Sequence, residues 1–194
     1  MKVLVGLGNP GAAYVATRHN MGFLIVRETA KRHGVRLSRP YAERGRLLAY
    51  YGEWTMKPTR VRGLLPQTMM NASGDALTAM DAWAVSPDEM LIVCDDVNLP
   101  LGTLRLRADG GAGGHHGLAS CLEALGTQQV ARLRVGVGVV ALPNDLTEFV
   151  LSPFEDAERP MMRAVIARAA EACESWVEEG IEVTMNRVNA ERVA

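Results

Sequence analysis

The sequence predicts an α/β domain in which a mixed sheet is flanked by helices. Short apolar runs rich in valine and leucine recur between segments whose apolar residues have helical spacing, and this alternation is typical of α/β proteins. The chain has 194 residues, 48% of them hydrophobic, which is enough for one compact domain. Because no repeat, low-complexity tract or linker interrupts the sequence, one domain over residues 1–194 is the simplest plan.

The first half of the chain alternates predicted strands with predicted helices. Residues 3–7 are a short apolar run that predicts a buried strand. Residues 21–33 have apolar side chains at helical spacing, with Asn20 as a candidate N-cap and Gly34 just past the end, and predict a helix. The same criteria predict a strand pair at 46–51 and 60–65, a helix opened by Ser73 at 74–83, and a central strand at 90–94.

The second half ends in a long amphipathic segment. Residues 103–107 alternate strictly, which predicts a strand with Arg105 and Arg107 on one face. Residues 155–179 carry an apolar stripe at helical spacing with acidic residues around it, which is typical of a helix packed on a core. Between these segments the sequence predicts a helix at 118–125 and a strand at 133–139.

The composition excludes several classes of protein. Disordered chains combine low hydrophobicity with high net charge, whereas the net charge here is −1. No apolar run approaches the ~20 residues of a membrane span, and the N-terminus lacks the plan of a signal peptide, so we expect a soluble cytoplasmic protein. Cys94, Cys121 and Cys173 are odd in number and have apolar neighbours, which indicates reduced core thiols.

The charge is distributed unevenly along the chain. Residues 1–142 contain 16 basic and 11 acidic residues, a net charge of +5, whereas residues 143–194 contain 5 and 11, a net charge of −6. The basic residues are 18 Arg and 3 Lys. Arginine suits bidentate phosphate contacts, although a bias in genome composition explains the same ratio. The balanced total therefore does not exclude a nucleic-acid partner.

The first loop has the pattern of a dinucleotide-binding turn. Residues 6–11 match G-x-G-x-x-G directly after the first predicted strand, where such glycines let a pyrophosphate approach a helix. However, Pro10 removes a backbone donor from this loop, and the acidic residue expected about 20 positions later is represented only by Glu28, inside a helical pattern. An NAD-dependent oxidoreductase is the alternative that this loop leaves open.

Three polar residues near predicted element ends are candidates for catalysis or binding. His19 lies in the polar run 17–20, and histidine is the usual general base at neutral pH, although a lone histidine is more often packed. Asp95 follows the strand 90–94, where ligands of α/β sheets gather, so it is placed either to orient a histidine or to form an ordinary turn. Asn71 is either a turn residue or an amide presented to substrate.

A glycine-rich segment at 110–114 leads into His115 and His116. So many glycines are costly in conformational entropy, which indicates that a backbone or a ligand passes close by. Adjacent histidines rarely ligate one ion and no cysteine lies at ligand spacing, so we expect no metal. The sequence also lacks G-x-S-x-G and a reactive-cysteine context, which disfavours a covalent mechanism.

Four ordered motifs resemble those of the bacterial peptidyl-tRNA hydrolases, and the resemblance covers nearly the whole chain. The motifs are residues 6–11 with Tyr14 and 17–20, Pro66-Gln67-Thr68 with Met70-Asn71 and Ser73-Gly74, Asp95-Asp96 with Leu99-Pro100-Leu101-Gly102, and Gly113-Gly114-His115. The resemblance implies a monomeric α/β enzyme with a mixed, twisted sheet. It also implies hydrolysis of the ester that joins a peptide to the 3′ end of tRNA, without a metal or other cofactor.

The resemblance further implies roles for individual residues. His19 would be the general base, and Asp95 would stabilise its basic tautomer. Asn9 would contact the first carbonyl of the peptide and so reject unblocked aminoacyl-tRNA. Substrate-binding residues would be Tyr14, Met69 and Asn71 in the cleft and Arg105, Arg107 and Arg134 as a clamp for tRNA phosphates.

The sequence departs from the family at two of these positions. After Gly-Gly-His the family usually has Asn, whereas this chain has His116, so an amide is replaced by an imidazole. At Met69 the family usually has an aromatic residue, so a stacking surface is replaced by a flexible thioether. We expect activity to survive with a changed pH dependence, and we hypothesise that His116 contacts the nucleic acid or the attacking water. The alternative is an RNA-binding factor on the same fold with reduced catalysis.

Overall fold

The strands pair into a single mixed sheet in the computed structural model, which describes residues 1–190. They are β1 (Lys2–Gly6), β2 (Arg39–Glu43), β3 (Arg46–Met56), β4 (Thr59–Pro66), β5 (Met90–Pro100), β6 (Leu104–Arg107) and β7 (Ala131–Gly138). Their order across the sheet is β2-β3-β4-β1-β5-β7-β6. β4, β1, β5 and β7 are mutually parallel, whereas β2, β3 and β6 join antiparallel to their neighbours.

Helices cover both faces of this sheet. Within residues 1–190 they are α1 (Met21–Arg32), α2 (Thr78–Trp83), α3 (His116–Leu125), α4 (Leu146–Leu151), α5 (Arg159–Glu179) and α6 (Ile181–Ala190), with a 3₁₀ segment over Met70–Leu77. α1, α5 and α6 share one apolar core, and the 3₁₀ segment, α2 and α3 share the other. The predicted single-domain α/β class with a mixed sheet is therefore confirmed for the residues that the structure describes; residues 191–194 of the predicted domain lie outside them.

The strand sequences explain why there are two cores. Successive side chains of a strand point to opposite faces, and in β1 Leu4 joins the core under α1 while Val3 and Val5 join the core under α3. Gly22 lets α1 begin directly against the sheet, because a Cβ at this position would collide with backbone atoms of Leu7 and Val93. This close approach positions the segment just before α1 beside the ends of β1 and β5.

Several predicted boundaries are wrong, for local reasons. The helix predicted at 74–83 begins as the 3₁₀ segment at Met70, and the Ser73 hydroxyl does not cap it but donates to the Met70 carbonyl inside that segment. The predicted start of α1 is correct, because Asn20 occupies its N-cap position, although the Asn20 side chain makes no capping hydrogen bond. β3 and β5 extend beyond 46–51 and 90–94 because their neighbours pair with them along the added residues.

Three elements have no counterpart in the prediction. β2 is an exposed edge strand without apolar alternation and with Pro40 inside it, α4 is short, and α6 buries only Thr184 and Val188 fully. β2 is stabilised by pairing with the adjacent β3, and α4 and α6 by contacts with segments distant in sequence. Local periodicity reports neither kind of contact. None of the helices within residues 1–190 is long and apolar enough to cross a membrane.

Candidate active site

The carboxyl ends of the parallel strands meet at one edge of the sheet, where ligands of α/β sheets bind. Asn9 follows β1, Met69 and Asn71 follow β4, and Asp95 lies within β5. His19 lies in a 3₁₀ turn directly before α1. These five residues line one cavity of about 450 Å³, which we call the cleft.

His19 and Asp95 form the centre of the cleft. Nδ1 of His19 lies 2.9 Å from Oδ1 and 3.1 Å from Oδ2 of Asp95. Because a carboxylate only accepts hydrogen bonds, the neutral ring carries its proton on Nδ1 and keeps its lone pair on Nε2. Within residues 1–190 nothing hydrogen-bonds to that Nε2 atom. An open imidazole nitrogen in a cleft is suited to take a proton from water.

A second imidazole, that of His115, donates to the same carboxylate. Its Nε2 lies 3.1 Å from Oδ1 of Asp95, and its Nδ1 accepts from the backbone N–H of Leu118 at 3.1 Å. The lone pair of neutral His115 is therefore on Nδ1 and its proton is on Nε2. The ring centroids of His115 and His19 are 4.9 Å apart, so Asp95 accepts hydrogen bonds from two neighbouring rings.

These two rings determine the ionisation of Asp95, which is 2% exposed. Burial by itself raises the pKa of this carboxyl group. The charge and hydrogen bond of His115, together with those of His19, outweigh burial and hold the pKa of Asp95 well below its ordinary value of 3.8. The carboxylate therefore remains negative and stabilises positive charge that forms on His19.

The same three residues lie close enough together to be considered as metal ligands, because their ligand atoms all lie within 4.8 Å of one another. The hydrogen bonds do not favour that role. A metal at Nε2 of His115 needs the lone pair there, whereas the Leu118 N–H holds the lone pair at Nδ1. The three side chains are therefore arranged as two N–H donors to one carboxylate rather than as ligands of a metal ion.

Asn9 is held so that its amide nitrogen remains free. Its Oδ1 accepts from the backbone N–H of Met70 at 2.8 Å, which also fixes the orientation of the amide. Its backbone N–H donates to Oδ1 of Asn20 at 2.8 Å, and its carbonyl accepts from Nδ2 of Asn20 at 3.0 Å. Among residues 1–190 none accepts from Nδ2 of Asn9. Asn9 therefore presents a hydrogen-bond donor to a ligand in the cleft.

The remainder of the cleft combines polar tips with an apolar wall. Asn71 and His116 are exposed at its edge, and His116 is the first residue of α3. Met69 is 48% exposed. The apolar wall consists of α4 residues, namely Leu146, Val150 and Leu151. The predicted residues Met69, Asn71 and His116 thus share one cavity with His19, Asp95 and Asn9.

Arg18 connects this apolar wall to the segment that carries His19. The side chain of Arg18 is 4% exposed and pairs with Glu158 at 2.6 Å. It also donates to the hydroxyl of Ser152 at 2.8 Å, and its guanidinium lies 4.5 Å from the ring centroid of Phe149 at the end of α4. α4 is therefore attached to the residue that precedes His19.

The three arginines of the predicted clamp have different environments. Arg134 lines the cleft and forms an ion pair with Asp96, with 3.1 Å between Nε and Oδ2. A Cβ at Gly113, where φ is +60°, would collide with the Arg134 guanidinium, which would have to move to admit a side chain. Arg105 lies directly opposite Arg134 in the β6–β7 pair, and Arg107 is on the same face. Both Arg105 and Arg107 are exposed and lie outside the cleft lining.

The other predicted site residue outside the cleft is Tyr14. It ends a 3₁₀ turn over Ala12–Tyr14, and its carbonyl accepts from the hydroxyl of Thr17. The three cysteines are free and buried, as predicted. Burial raises the pKa of the Cys121 and Cys173 thiols to about 12 and that of Cys94, directly before Asp95, further still. Thiol groups with such pKa values are unreactive.

Sequence reasoning missed four residues that organise the site. The sequence places His115 in a motif without a role, and it indicates Asn20 only as a helix cap. Arg18 was only part of a polar run, and Arg132 was not considered; it is 1% exposed and donates to the carbonyls of Gly110 and Gly111. The sequence did contain a signal for Arg132, because two arginines, at 132 and 134, interrupt an otherwise apolar strand. The glycine run at 110–114 offers them backbone carbonyls to bind.

An imidazole with an open nitrogen, paired with a buried carboxylate at the ends of parallel strands, is an arrangement that hydrolases use to activate water. The sequence model of the family described as peptidyl-tRNA hydrolase matches residues 3–194. The chain belongs to the peptidyl-tRNA hydrolase family.

Curated relatives and solved structures agree with this assignment. The chain is 41% identical over 190 residues to the peptidyl-tRNA hydrolase of Syntrophomonas wolfei, covering 97% of this chain and 100% of the relative. It is 43% identical over 190 residues to that of a Synechococcus species, covering 97% and 83%. A crystal structure of peptidyl-tRNA hydrolase from Acinetobacter baumannii matches with a TM-score of 0.88 and 30% identity, covering 100% of this chain and 97% of that one. The predicted resemblance and enzyme class are confirmed.

Proposed function

We propose that this protein hydrolyses the ester bond between a peptide and the 3′ end of tRNA. The relatives carry the name of that activity. The observation that carries the proposal is the His19–Asp95 pair, in which Nδ1 is held by the carboxylate and Nε2 is open to the cleft.

In the proposed reaction His19 is the general base. Its Nε2 takes a proton from water while the water oxygen attacks the ester carbonyl carbon, a contribution of about 10²–10⁴ in rate. The bond to the ribose oxygen then breaks, and that oxygen receives the proton from the imidazolium. The products are the free 3′ end of tRNA and the peptide carboxylic acid, which releases the second proton of the water to solvent and becomes a carboxylate. The negative charge of Asp95 stabilises the imidazolium between these steps.

Asn9 is proposed to recognise the peptide. Its free Nδ2 suits the carbonyl oxygen of the first peptide bond, which an unblocked aminoacyl-tRNA lacks. A substrate without that carbonyl leaves the donor unpaired, and such a loss is a strong means of discrimination. Asn71, Met69, Tyr14 and His116 are proposed as further substrate contacts.

Arg105, Arg107 and Arg134 are proposed to bind tRNA phosphates. Arg105 and Arg107 are exposed cations, and Arg105 is directly opposite Arg134 across the strand pair. Two planar guanidinium groups on one face are suited to bidentate phosphate contacts. Because Arg134 also pairs with Asp96, we assign the larger share of phosphate binding to the two exposed side chains.

The decisive experiment is hydrolysis of N-acetyl-aminoacyl-tRNA by the wild type, His19→Ala and His33→Ala. His33 is the matched control, because it stacks on Trp54 and hydrogen-bonds Glu174 instead of lining the cleft. We expect a loss of activity of about 10²-fold or more for His19→Ala and none for His33→Ala. Equal residual activity of wild type and His19→Ala would support the alternative, a factor that binds RNA with reduced catalysis.

We also propose that the enzyme acts as a monomer in the cytoplasm, where its tRNA substrate is found. One cleft within one chain contains all of the proposed catalytic groups. Sedimentation at micromolar protein concentration tests the monomer, and an assay of fractionated cells tests the location.

A further inference from the structure

A second, smaller cavity adjoins the cleft at Asn9. It has a volume of about 70 Å³ and shares Asn9 with the cleft. Its other walls include the apolar side chains of Val15 and Leu24, the amide of Gln67 and the guanidinium of Arg27. We call it the Arg27 cavity. The catalytic pair His19 and Asp95 does not line it.

Arg27 gives this cavity a positive charge that no acidic side chain among residues 1–190 neutralises in an ion pair. Arg27 is exposed on α1, and its guanidinium lies 5.6 Å from the ring centroid of Phe23. Within residues 1–190 it has no acidic partner at ion-pair distance. The neighbouring carboxylate, Glu28, is paired instead with Lys31 and Arg32 on the following turn. A guanidinium with open donors is suited to bind a carboxylate.

The chemistry of the substrate determines which group reaches this cavity. If Asn9 donates to the first peptide carbonyl, that carbonyl belongs to the residue that precedes the esterified one. The side chain of this preceding residue is then next to Asn9, the residue that the two cavities share. A volume of about 70 Å³ admits a short side chain.

We propose that the Arg27 cavity is a subsite for an acidic side chain, that of an aspartate directly before the esterified residue of the peptide. This inference rests on the proposed function. Because Arg27 is exposed, its ion pair with the substrate is weak, and it favours aspartate over an uncharged side chain by about two- to fivefold in kcat/KM. This preference decreases as salt screens the ion pair.

The test compares two substrates that differ only in charge, N-acetyl-Asp-Ala-tRNA and N-acetyl-Asn-Ala-tRNA. Their kcat/KM values are measured with the wild type, Arg27→Glu and Lys31→Glu at low and high salt. Lys31→Glu is the matched control, because it makes the same change of charge one turn further along α1, where the Lys31 side chain is 80% exposed and outside the cavity lining.

We expect the wild type and Lys31→Glu to prefer the Asp substrate by about two- to fivefold at low salt, and Arg27→Glu to prefer the Asn substrate. An Asp-to-Asn ratio that is equal in wild type and Arg27→Glu would overturn the subsite. An equal change in Arg27→Glu and Lys31→Glu would overturn it as well, because the effect would then come from net charge. Failure to hydrolyse either substrate would instead contradict the proposed function.

Discussion

At the scale of single residues, the charge of Asp95 controls two imidazole rings. In Asp95→Asn an NH2 group replaces one of the two oxygens to which the rings now donate. His19 must then share the remaining oxygen with His115 or adopt the other tautomer, and no negative charge is left to stabilise a positive ring. We expect kcat for N-acetyl-aminoacyl-tRNA to fall by about 10²–10⁴. The control is Asp88→Asn, an exposed carboxylate before β5, which we expect to be as active as wild type. A fall of less than about tenfold would contradict this role of Asp95.

The depressed pKa of Asp95 also links stability to pH. The folded-state pKa lies below the unfolded value of 3.8, so ionised Asp95 contributes stability that is fully present above that value. The contribution decreases as the pH falls below it toward the folded-state pKa. We expect the difference in free energy of unfolding between wild type and Asp95→Asn, measured by urea denaturation, to be constant near neutral pH and to shrink below about pH 3.8. A difference that grows as the pH falls would contradict it.

His116, at the edge of the cleft, is one of the two positions where this sequence departs from the usual residue of the family. It is exposed, lines the cleft and begins α3, so a charge change on its ring faces the substrate. We expect His116→Asn to remain active but to change the pH dependence of kcat/KM, because an amide does not titrate in this range. The measurement is the pH–rate profile of both proteins. If rate and profile were both unchanged, His116 would contact neither the nucleic acid nor the attacking water.

The sequence indicated His19 and Asp95 through residue type and position at element ends, and Asn9 only through the resemblance to the family. The arrangement of their protons was not visible. The tautomer of His115 depends on the backbone N–H of Leu118, and the free nitrogen of Asn9 depends on the backbone N–H of Met70. Both donors come from segments whose position is decided by packing between distant parts of the chain.

At the scale of elements, α4 depends on Arg18 for its position. We expect Arg18→Gln to raise KM more than it lowers kcat, because it releases the apolar wall of the cleft while the His19–Asp95 pair remains. We also expect a loss of about 3–5 kcal/mol in the free energy of unfolding, the cost of breaking a buried ion pair. Steady-state kinetics and urea denaturation measure both effects.

Glu158→Gln is the companion variant, since it removes the ion pair but keeps the Arg18 bonds to Ser152 and Pro153. We expect it to have a smaller effect on KM. If Glu158→Gln and Arg18→Gln raised KM equally, the ion pair alone would hold α4. If neither variant changed KM, α4 would not form a wall for the substrate.

Elements were predictable where their own residues alternate or repeat, as in β1, α1 and α5. Elements were not predictable where their formation depends on contacts with another element. β2 is an exposed edge strand that forms because β3 offers it a partner, and α4 is a six-residue helix that packs against the turn before α1. β2 has no apolar alternation, and α4 is too short for its apolar spacing at 146, 149 and 150 to be distinguished from a loop.

At the scale of the whole molecule, the sign of the net charge is misleading. The acidic excess lies beyond residue 142, whereas Arg105, Arg107 and Arg134 are on the last two strands of the sheet, β6 and β7. We expect the affinity for tRNA to fall with salt, and the double variant Arg105→Gln with Arg107→Gln to reduce the slope of log affinity against log salt by about two. Arg163→Gln, an exposed arginine of the acidic helix α5, is the control that should keep the slope. An affinity insensitive to salt would contradict the clamp.

Asn20 has a consequence for anyone who wishes to rebuild this site elsewhere. The Asn20 amide forms hydrogen bonds with both the N–H and the carbonyl of the Asn9 backbone, much as two paired bases do. The residue directly before Asn20 in the chain is His19. One side chain therefore sets the distance between His19, the proposed general base, and Asn9, the proposed contact of the peptide carbonyl. A graft of His19 onto another scaffold therefore has to include the first loop and Asn20, because the Asn20 amide holds the backbone of Asn9 at a defined distance from His19.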